Sequence, residues 1–484
     1  MLMICAIFLP IVAGALLPRL RFESRRARSI YVEAFVILTS ILAAAVILGG
    51  GERIRLISLT DTLSIEFQLD GLGRVFTGIV AFLWPLASLY AFEYMEHEDG
   101  ENTFFSFYTM TYGVTLGISM AANYETLYVF YELLTLVTLP LVCHSADSKS
   151  MAAGRKYLYY SLTGAALAFI GLMFIEVYGT TSDFVLGGVL GAAAGRETLL
   201  RVVFVLAFLG FGVKAAVFPF HGWLPAASVA PTPVTALLHA VAVVKAGVFA
   251  IMRVSYYSFG PALLRGTFAQ YVPLSLAVIT IVFGSAMAVK EYHIKRRLAY
   301  STISNLSYIV FGAMLLTPAG LSASLAHMVF HALMKIILFF CAGAIMVKAE
   351  KHYVQEIRGF SRVMPFTFAV FTVAALSLIG IPPLAGFISK WNLALAAFAQ
   401  GNVLAIAGVC ALLVSAVLTA IYTMGVILPA YTLPLNAEDA ALGKRDPGLR
   451  MKLPLALLVI ALIAVSLYAQ PLVDFLTAIP GGLM

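Results

Sequence analysis

Long runs of apolar residues, separated by short polar stretches, follow one another along the whole chain. A bilayer's hydrocarbon core is about 30 Å thick, so a helix needs about 20 mostly apolar residues to cross it. Fourteen segments meet this criterion: 2–17, 31–49, 71–92, 103–121, 124–143, 153–177, 201–219, 232–252, 271–289, 298–316, 321–347, 365–398, 402–429 and 454–473. The pattern predicts an all-α, polytopic membrane protein with 14 transmembrane helices, forming a single membrane domain over residues 1–484.

Two of these segments contain strong helix breakers at membrane depth. The seventh contains Pro219, and the twelfth contains Pro382 and Pro383. Proline frees backbone groups that protein or a water-filled cavity must satisfy inside a bilayer. The breaks lie five spans apart, an odd number, so the two segments cross the membrane in opposite directions. We therefore predict two broken helices within two inverted five-helix repeats, although two unrelated proline kinks are an alternative.

The repeats divide the predicted membrane domain into four parts. These are spans 1–3 in residues 1–100, the first repeat (spans 4–8) in 103–253, the second repeat (spans 9–13) in 271–430, and span 14 in 454–474.

Composition agrees with the hydropathy pattern and excludes an ordinary soluble protein. Of the 484 residues, 61% are hydrophobic and 11% are charged, against about 25% charged in globular proteins. The net charge of +7 would suggest nucleic acid as a partner of a soluble protein, but here it comes from loop residues. The four cysteines have no metal-binding or disulfide spacing, and we interpret them as small buried hydrophobes.

The basic residues are distributed unequally between the two sides of the membrane. Four lysines lie inside spans, and twenty basic residues lie in the loops of one side. The other side has seven: Arg53, Arg55, Arg74, Arg196, Arg201, Arg253 and Arg265. The positive-inside rule assigns the richer side to the cytoplasm. We therefore expect a multi-pass protein of the inner (cytoplasmic) membrane with both termini on the outer side.

Eight ionisable side chains lie inside otherwise apolar spans. They are Glu132, Lys214, His239, Lys245, His327, His331, Lys335 and Lys390. A charge at the bilayer centre costs at least about 2.5–3.5 kcal/mol on the insertion scale, and such residues usually mark ion pathways. We therefore interpret the eight as a proton path.

Lys214 and Glu132 are the expected first switch of this path. Lys214 lies 13 residues beyond Arg201, which corresponds to about 20 Å of helix. Glu132 is the only acid well inside a span, so it is the natural partner of that lysine. A purely structural ion pair is the alternative.

The eleventh span presents a polar stripe. His327, His331 and Lys335 are spaced by four residues, which keeps all three on one helix face. No carboxylate or cysteine accompanies them, so we expect no metal. His239 and Lys245 are six residues apart, about 120° around a continuous helix. We therefore expect Lys245 to face Lys214 and His239 to face elsewhere.

The loops contain no recognisable nucleotide, flavin or protease motif. They have no Walker A pattern, no GxGxxG, no HExxH and no Ser/His/Asp constellation. We expect no cofactor and no catalytic residues, so a driving reaction has to come from partner chains.

Five motifs carry a resemblance to a known family. They are KAAVFPFHGWLP at 214–225, APTPVTALLH at 230–239, YSTISNLSY at 300–308, HALMK at 331–335 and GIPPLAG at 380–386. The chain resembles the antiporter-like membrane subunits of respiratory complex I, membrane-bound hydrogenases and multisubunit Na+/H+ antiporters, and it is most similar to the D-type antiporter subunit.

This resemblance implies fourteen helices with an inverted repeat. It places the family's functional residues on Glu132, Lys214, Lys245, His327 and His331, with Lys390 as the ionisable residue of span 12. Some members have an aspartate where Ala226 and Ala227 stand here, so any role of that acid is missing. The chain also ends soon after span 14, unlike the complex I subunit with a long lateral helix.

The expected function is proton translocation within a multisubunit energy-coupling complex. The driver is either redox chemistry, as in hydrogenase or complex I-like pumps, or an opposing cation gradient. Expected partners are other membrane subunits, the lipid bilayer and, for a redox pump, soluble subunits on the cytoplasmic side. Direct Na+/H+ exchange and a non-conducting scaffold are the alternatives. The sequence does not identify the driver, the partner subunits or the direction of transport.

Overall fold

The computed structural model describes residues 1–60, 63–191, 195–440 and 443–482. Its helices are α1 Leu2–Leu16, α2 Arg25–Gly49, α3 Gly71–Tyr94, α4 Glu101–Ser119, α5 Tyr124–Val142, α6 Ser148–Tyr178, α7 Glu197–Lys214, α8 Trp223–Ala226, α9 Thr232–Ala240, α10 Val243–Arg253, α11 Pro261–Leu264, α12 Phe268–Lys290, α13 Ile294–Met314, α14 Pro318–Ala349, α15 Pro365–Ile379, α16 Ala385–Gln400, α17 Val403–Thr432, α18 Ala437–Ala440, α19 Leu449–Leu467 and α20 Ala469–Ala478. Two strands, β1 Ile54–Ser58 and β2 Ser64–Phe67, lie between α2 and α3. The prediction of a helical membrane protein is confirmed.

Within the described residues, ten helical stretches are long and apolar enough to cross a membrane. They are Leu2–Arg19, Arg25–Gly49, Gly71–His97, Tyr124–Val142, Ser148–Tyr178, Thr232–Ser258, Phe268–Lys290, Pro318–Ala349, Val403–Thr432 and Leu449–Leu467. The four other predicted spans coincide with α4, α7, α13 and the pair α15–α16. The total of fourteen spans and the two repeats stay predictions.

Both predicted helix breaks are present. Helix α7 ends at Lys214, and helical turns resume only at Phe220. Helix α15 ends at Ile379, Gly380 has a φ of +94°, and α16 begins at Ala385. A positive φ is easily adopted by glycine, which has no Cβ.

A third break was not predicted. The segment 232–252 is two helices, α9 and α10, separated at Val241 and Ala242. The ψ of Ala242 is −83°, outside the range of a regular α-helix. Neither residue is a glycine or proline, so no local signal in the sequence marks this interruption.

The strands form a small antiparallel hairpin, the one departure from the predicted all-α fold. Ile54 pairs with Phe67 at its open end. Glu66 accepts hydrogen bonds of 2.5 Å from both Arg53 and Arg55, and Arg53 also pairs with Asp183. These ion pairs attach the hairpin to the loop that follows α6.

Helices α9, α10 and α14 form the centre of the molecule. The stretch Thr232–Ser258 is entirely buried, and α14 is nearly so. Helix α14 packs against α9, α13, α15 and α16, while α2, α17 and α19 lie at the periphery and expose apolar side chains. Most of the ionisable residues inside predicted spans therefore lie on the best-protected helices.

Candidate functional site: a buried line of lysines and histidines

Lys214 is the last residue of α7 and is held by α5. Its Nζ donates a hydrogen bond to the Tyr131 carbonyl and lies 3.5 Å from the centroid of the Tyr131 ring. The Glu132 Oε1 is 3.9 Å from Nζ, at the limit of an ion pair. The Lys214 side chain is 1% exposed and that of Glu132 is 24% exposed. The lysine is therefore internal, and the glutamate lies at the edge of the subunit.

The broken segment after Lys214 is held by side chains. Trp223 Nε1 donates to the Val213 carbonyl over 2.7 Å, and the Phe218 amide donates to Thr280 Oγ1 over 3.0 Å. Gly247 of α10 packs against this segment, since a Cβ there would overlap the backbone of Lys214 and Ala215. The interruption is thus satisfied by protein groups, as a break at membrane depth requires.

Lys245 contacts the histidine stripe of α14. Its Nζ lies 2.8 Å from His331 Nδ1, and both side chains are fully buried. The expectation that Lys245 would face Lys214 and His239 would face elsewhere is wrong. His239 also faces α14, because its ring stacks on Phe339 with centroids 4.7 Å apart. The break at Val241 and Ala242 changes the helical phase, so the 120° separation of a continuous helix does not apply.

His327 continues the line towards α16. Its ring lies 5.9 Å from that of His331, and its Nδ1 is 2.9 Å from Ser389 Oγ. Among the described residues, the Nε2 atoms of both histidines have no hydrogen-bond partner. Each imidazole thus has one nitrogen engaged and one free, an arrangement in which a ring can take a proton at one nitrogen and release it at the other.

Lys390 lies at the far end of the line, at the second predicted break. Its Nζ donates to the carbonyls of Leu378 and Ile379, over 2.7 and 2.9 Å, in the last turn of α15. Its Nζ is also 5.4 Å from the centroid of the Tyr308 ring. Gly386 permits the close return of the chain, since a Cβ there would overlap the Ser377 carbonyl.

Lys335 begins a series of hydroxyl groups that we call the hydroxyl ladder: Ser301, Tyr422, Thr419, Ser415 and Tyr308. Lys335 Nζ donates to Ser301 Oγ over 2.6 Å, and Ser301 Oγ lies 2.5 Å from the Tyr422 hydroxyl. Tyr422 donates to Thr419 Oγ1 over 3.3 Å.

The other end of the hydroxyl ladder reaches the neighbourhood of His327 and Lys390. Thr419 Oγ1 donates to the Ser415 carbonyl over 2.7 Å, and the Tyr308 hydroxyl donates to Ser415 Oγ over 2.7 Å. The Tyr308 ring lies 5.2 Å from that of His327. The ladder therefore runs beside the line of ionisable residues, interrupted only at the Thr419–Ser415 step, where a backbone carbonyl is the acceptor.

His239 is the least connected of the predicted site residues. It is fully buried, and neither ring nitrogen has a hydrogen-bond partner in the part of the chain that is described. Its stacking partner Phe339 follows Lys335 by four residues, so it lies on the face that carries His327, His331 and Lys335. His239 therefore extends the same stripe by one turn.

The structure brings the eight residues into two groups. One is Glu132 with Lys214; the other is Lys245, His331, His327 and Lys390, with Lys335 further along α14 and His239 of α9 stacked on that part of α14. Between the described residues, no hydrogen bond joins Lys214 to Lys245. Sequence reasoning missed Tyr131, Ser389, Ser415 and Tyr422. The spacing of Ser415, Thr419 and Thr423 by four residues, within an otherwise apolar span, was the available signal.

Comparisons with known proteins place this geometry in a family context. Residues 121–419 match the family described as NADH:quinone oxidoreductase/Mrp antiporter, transmembrane. Residues 57–105 match the N-terminus of NADH-ubiquinone oxidoreductase (complex I), chain 5.

Two curated relatives illustrate the range of similarity. The chain is 31% identical to NADH-quinone oxidoreductase subunit N of Desulforudis audaxviator, over 93% of this chain and 90% of that one. It is 35% identical to a probable K(+)/H(+) antiporter protein of Rhizobium meliloti, over 68% of this chain. It spans only 32% of that longer relative.

Two solved structures share the fold over almost the whole chain. A chain of the membrane-bound sulfane sulfur reductase, an archaeal respiratory membrane complex, aligns with a TM-score of 0.88 at 22% identity, over 99% of this chain and 97% of that one. A chain of the Mrp complex from Dietzia sp. aligns with a TM-score of 0.84 at 23% identity, over 100% and 97%.

Proposed function

Because the chain belongs to the NADH:quinone oxidoreductase/Mrp antiporter transmembrane family, we propose that it carries protons across the membrane as one subunit of a multisubunit energy-coupling complex. The observation that carries this proposal is the hydrogen bond between Lys245 and His331 in the fully buried centre of the molecule. Two titratable groups placed in contact inside a bilayer are costly, and such groups usually serve a proton relay.

The proposed path has a switch at each end and a relay between them. Lys214, with Glu132, is the first switch, and Lys390 is the terminal switch. In the relay, the Lys245 ammonium passes a proton to His331 Nδ1, and the imidazole releases a proton from Nε2 towards His327. Imidazole suits this role because its charge change occurs near physiological pH.

Both switch lysines are placed by a helix break: Lys214 is the last residue of α7, and the side chain of Lys390, in α16, reaches the C-terminal end of α15. The carbonyls there carry the negative end of the helix dipole, which stabilises a nearby cation. Lys390 donates directly to two such carbonyls. Small movements of the broken segments would make or break these contacts, so the breaks are the proposed gates.

Direct sodium exchange is the less favoured alternative. Sodium is a hard cation that takes oxygen ligands, above all carboxylates and carbonyls. The eight site residues include one carboxylate, Glu132, with four lysines and three histidines. This composition favours protons as the conducted species, and a cation gradient would then act through partner chains.

The proposed partners and orientation follow the family and the charges. Relatives are named as components of NADH-quinone oxidoreductases and of a K(+)/H(+) antiporter, so either redox chemistry or a cation gradient drives this subunit. We place the protein in the inner membrane, with both termini on the outer side, from the distribution of its basic residues.

Substitution of Lys214 tests the proposal. Lys214→Ala should reduce proton translocation by the assembled complex at least tenfold, because it removes the cation of the first switch. The assay is the quenching of a pH-sensitive dye in membrane vesicles, with assembly checked on native gels. Lys149→Ala, at an exposed lysine, is the matched control and should pump normally. Normal pumping by a correctly assembled Lys214→Ala complex would exclude a central role for this residue.

A further inference from the structure

An apolar groove runs along the surface between α3, α14, α19 and α20. Its volume is about 490 Å³, within the range of about 300–1,000 Å³ typical of ligand pockets. Its walls are almost entirely hydrocarbon and include Ile79, Phe82, Leu333, Val465, Leu472 and Phe475. This groove lies away from the hydroxyl ladder and from both switch lysines, so the function proposed above gives it no role.

One cation lies among the lining residues, and it is unpaired. Arg74, in the first turn of α3, makes no side-chain hydrogen bond or ion pair with any described residue, and its Nε is buried. All six of the other arginines on this side have a partner: Arg53, Arg55, Arg196, Arg201, Arg253 and Arg265. Arg74 is half-buried, and a buried polar atom without a partner is costly, so an external acceptor would stabilise its guanidinium.

The position of Arg74 defines the chemistry of that acceptor. Arg74 lies at the end of α3 where the helix leaves the membrane, and Phe82 lies eight residues further in, about 12 Å along the helix. The cation is thus at the level of lipid headgroups, and the apolar walls extend from it into the hydrocarbon layer. Guanidinium groups bind phosphate through two parallel hydrogen bonds.

We propose that this groove is a binding site for one anionic phospholipid. Its phosphate accepts hydrogen bonds from Arg74, and one acyl chain lies along α3 against α14 and α19. The groove wall on α14 is formed by Val329, Ala332 and Leu333, which flank His331. The bound lipid therefore packs against the helix that carries the histidine stripe.

Two substitutions separate the contributions of the headgroup and of the acyl chain to lipid binding. Arg74→Gln removes the charge, and Gly78→Leu fills the groove. A Cβ at Gly78 meets only Ile47 Cδ1, at 4.0 Å, so the larger residue fits without disturbing the backbone. Arg55→Gln, on the same side of the membrane, is the matched control because Glu66 keeps its second arginine.

The test is lipid retention measured by native mass spectrometry. The complex is purified in nanodiscs of dioleoyl-phosphatidylglycerol or of dioleoyl-phosphatidylcholine. The chain is then released from the lipid disc, and the lipids that remain bound to it are counted. We expect one retained phosphatidylglycerol in the wild type and in Arg55→Gln. We expect at least tenfold weaker retention in Arg74→Gln and in Gly78→Leu. Phosphatidylcholine has the same phosphate, but its choline cation offsets the negative charge beside Arg74, so we expect no comparable retention of this lipid.

Three results would overturn the proposal. Equal retention of the two lipids would show that the groove does not select anionic lipids. Retention by Arg74→Gln equal to that of the wild type would exclude Arg74 as the ligand of the phosphate. A cross-link from a cysteine at Val465 to another subunit of the intact complex would show that protein, rather than lipid, fills the groove.

Discussion

Lys390, one of the two proposed switch lysines, shows how a single residue is accommodated at membrane depth. Lys390 has no carboxylate partner among the described residues, and its Nζ donates to two carbonyls at the end of α15. A cation at a helix C-terminus gains about 0.3–1 kcal/mol at a surface and up to about 2 kcal/mol when partly buried. The end of α15 therefore stabilises the Lys390 ammonium without fixing it in a permanent ion pair.

Substitutions at Glu132 test whether it acts through Lys214. Glu132→Gln removes the charge 3.9 Å from the lysine, and it should reduce translocation strongly. Glu132→Asp keeps the charge and should be milder. The measurement is the initial pumping rate of each variant, alone and combined with Lys214→Ala. Coupled residues give non-additive effects. Glu132→Gln should therefore reduce the pumping rate little further in a chain that already carries Lys214→Ala. Equal and negligible effects of both single variants would mean that the residues are not coupled.

At the residue scale, contacts between side chains were harder to predict from the sequence than burial and spacing along a helix. Depth along an apolar span was enough to single out Lys214, and the four-residue spacing was enough to align His327 with His331. The contact between Lys245 and His331 was missed because it depends on the phase change between α9 and α10. Hydroxyl groups such as Ser389 give no charge signal in an apolar span, so they stayed unnoticed until their partners were known.

The hairpin of β1 and β2 is an element whose stability depends on one carboxylate. Burial raises the pKa of Glu66, whereas hydrogen bonds from Ser64, Arg53 and Arg55 lower it. The hydrogen bonds together outweigh burial, so the pKa of Glu66 lies below its ordinary value. A lowered pKa in the folded state stabilises the hairpin above the ordinary carboxyl pKa, and this contribution is lost as pH falls through the folded value.

We therefore expect the hairpin to open in acid. Between pH 7 and pH 3, hydrogen-exchange protection factors of the amides in β1, corrected for intrinsic rates, should fall, while those of α14 stay constant. Glu66→Gln should open the hairpin already at pH 7 and remove the pH dependence. A hairpin equally protected at both pH values would show that the ion pairs contribute nothing.

The hydroxyl ladder is the second element with a testable role. Tyr422→Phe removes the hydroxyl that joins Ser301 to Thr419 and keeps the ring. If protons use the ladder, pumping should fall about three- to tenfold, with a stability loss of only about 1 kcal/mol for the missing hydrogen bonds. Tyr431→Phe, at an exposed tyrosine of the same helix, is the control. An unchanged pumping rate in Tyr422→Phe would assign the ladder a structural role alone.

Element boundaries were predictable where breakers were clustered at membrane depth, whereas single prolines such as Pro85 and Pro140 lie inside continuous helices. Prolines indicated the breaks after Lys214 and Ile379, and both are present. The break at Val241 and Ala242 has no such residue, and the two halves of that stretch are fixed by packing entirely inside the molecule. Helix α9 packs on α14 and α10 packs on α7, so tertiary contacts decide the local backbone there, which no window of local sequence can reveal.

On the scale of the whole molecule, hydropathy predicted a helical, multi-pass membrane protein, and this is confirmed. The fold aligns over nearly its full length with chains of two membrane complexes, at identities of 22% and 23%. Long apolar segments are what such chains share most easily, because the thickness of the bilayer imposes them. The sequence contains no comparable signal for the partner subunits, and the driving reaction depends on those subunits.

A chain that conducts protons for a larger complex has to stay closed by itself. We expect its driving reaction to come from partner chains, and an open path would dissipate the gradient that the complex builds. In the structure, the proposed relay from Lys245 to His327 is buried, and the two breaks are filled by contacts such as that of Trp223 with Val213.

We therefore expect the purified chain, in liposomes with an imposed pH gradient and an internal pH dye, to leak protons no faster than empty liposomes. Lys214→Ala in the same liposomes is the matched control and should give the same low rate. Fast, saturable proton flux or Na+-dependent exchange by the wild-type chain alone would instead make it a self-sufficient transporter, because its gates would then open without any partner.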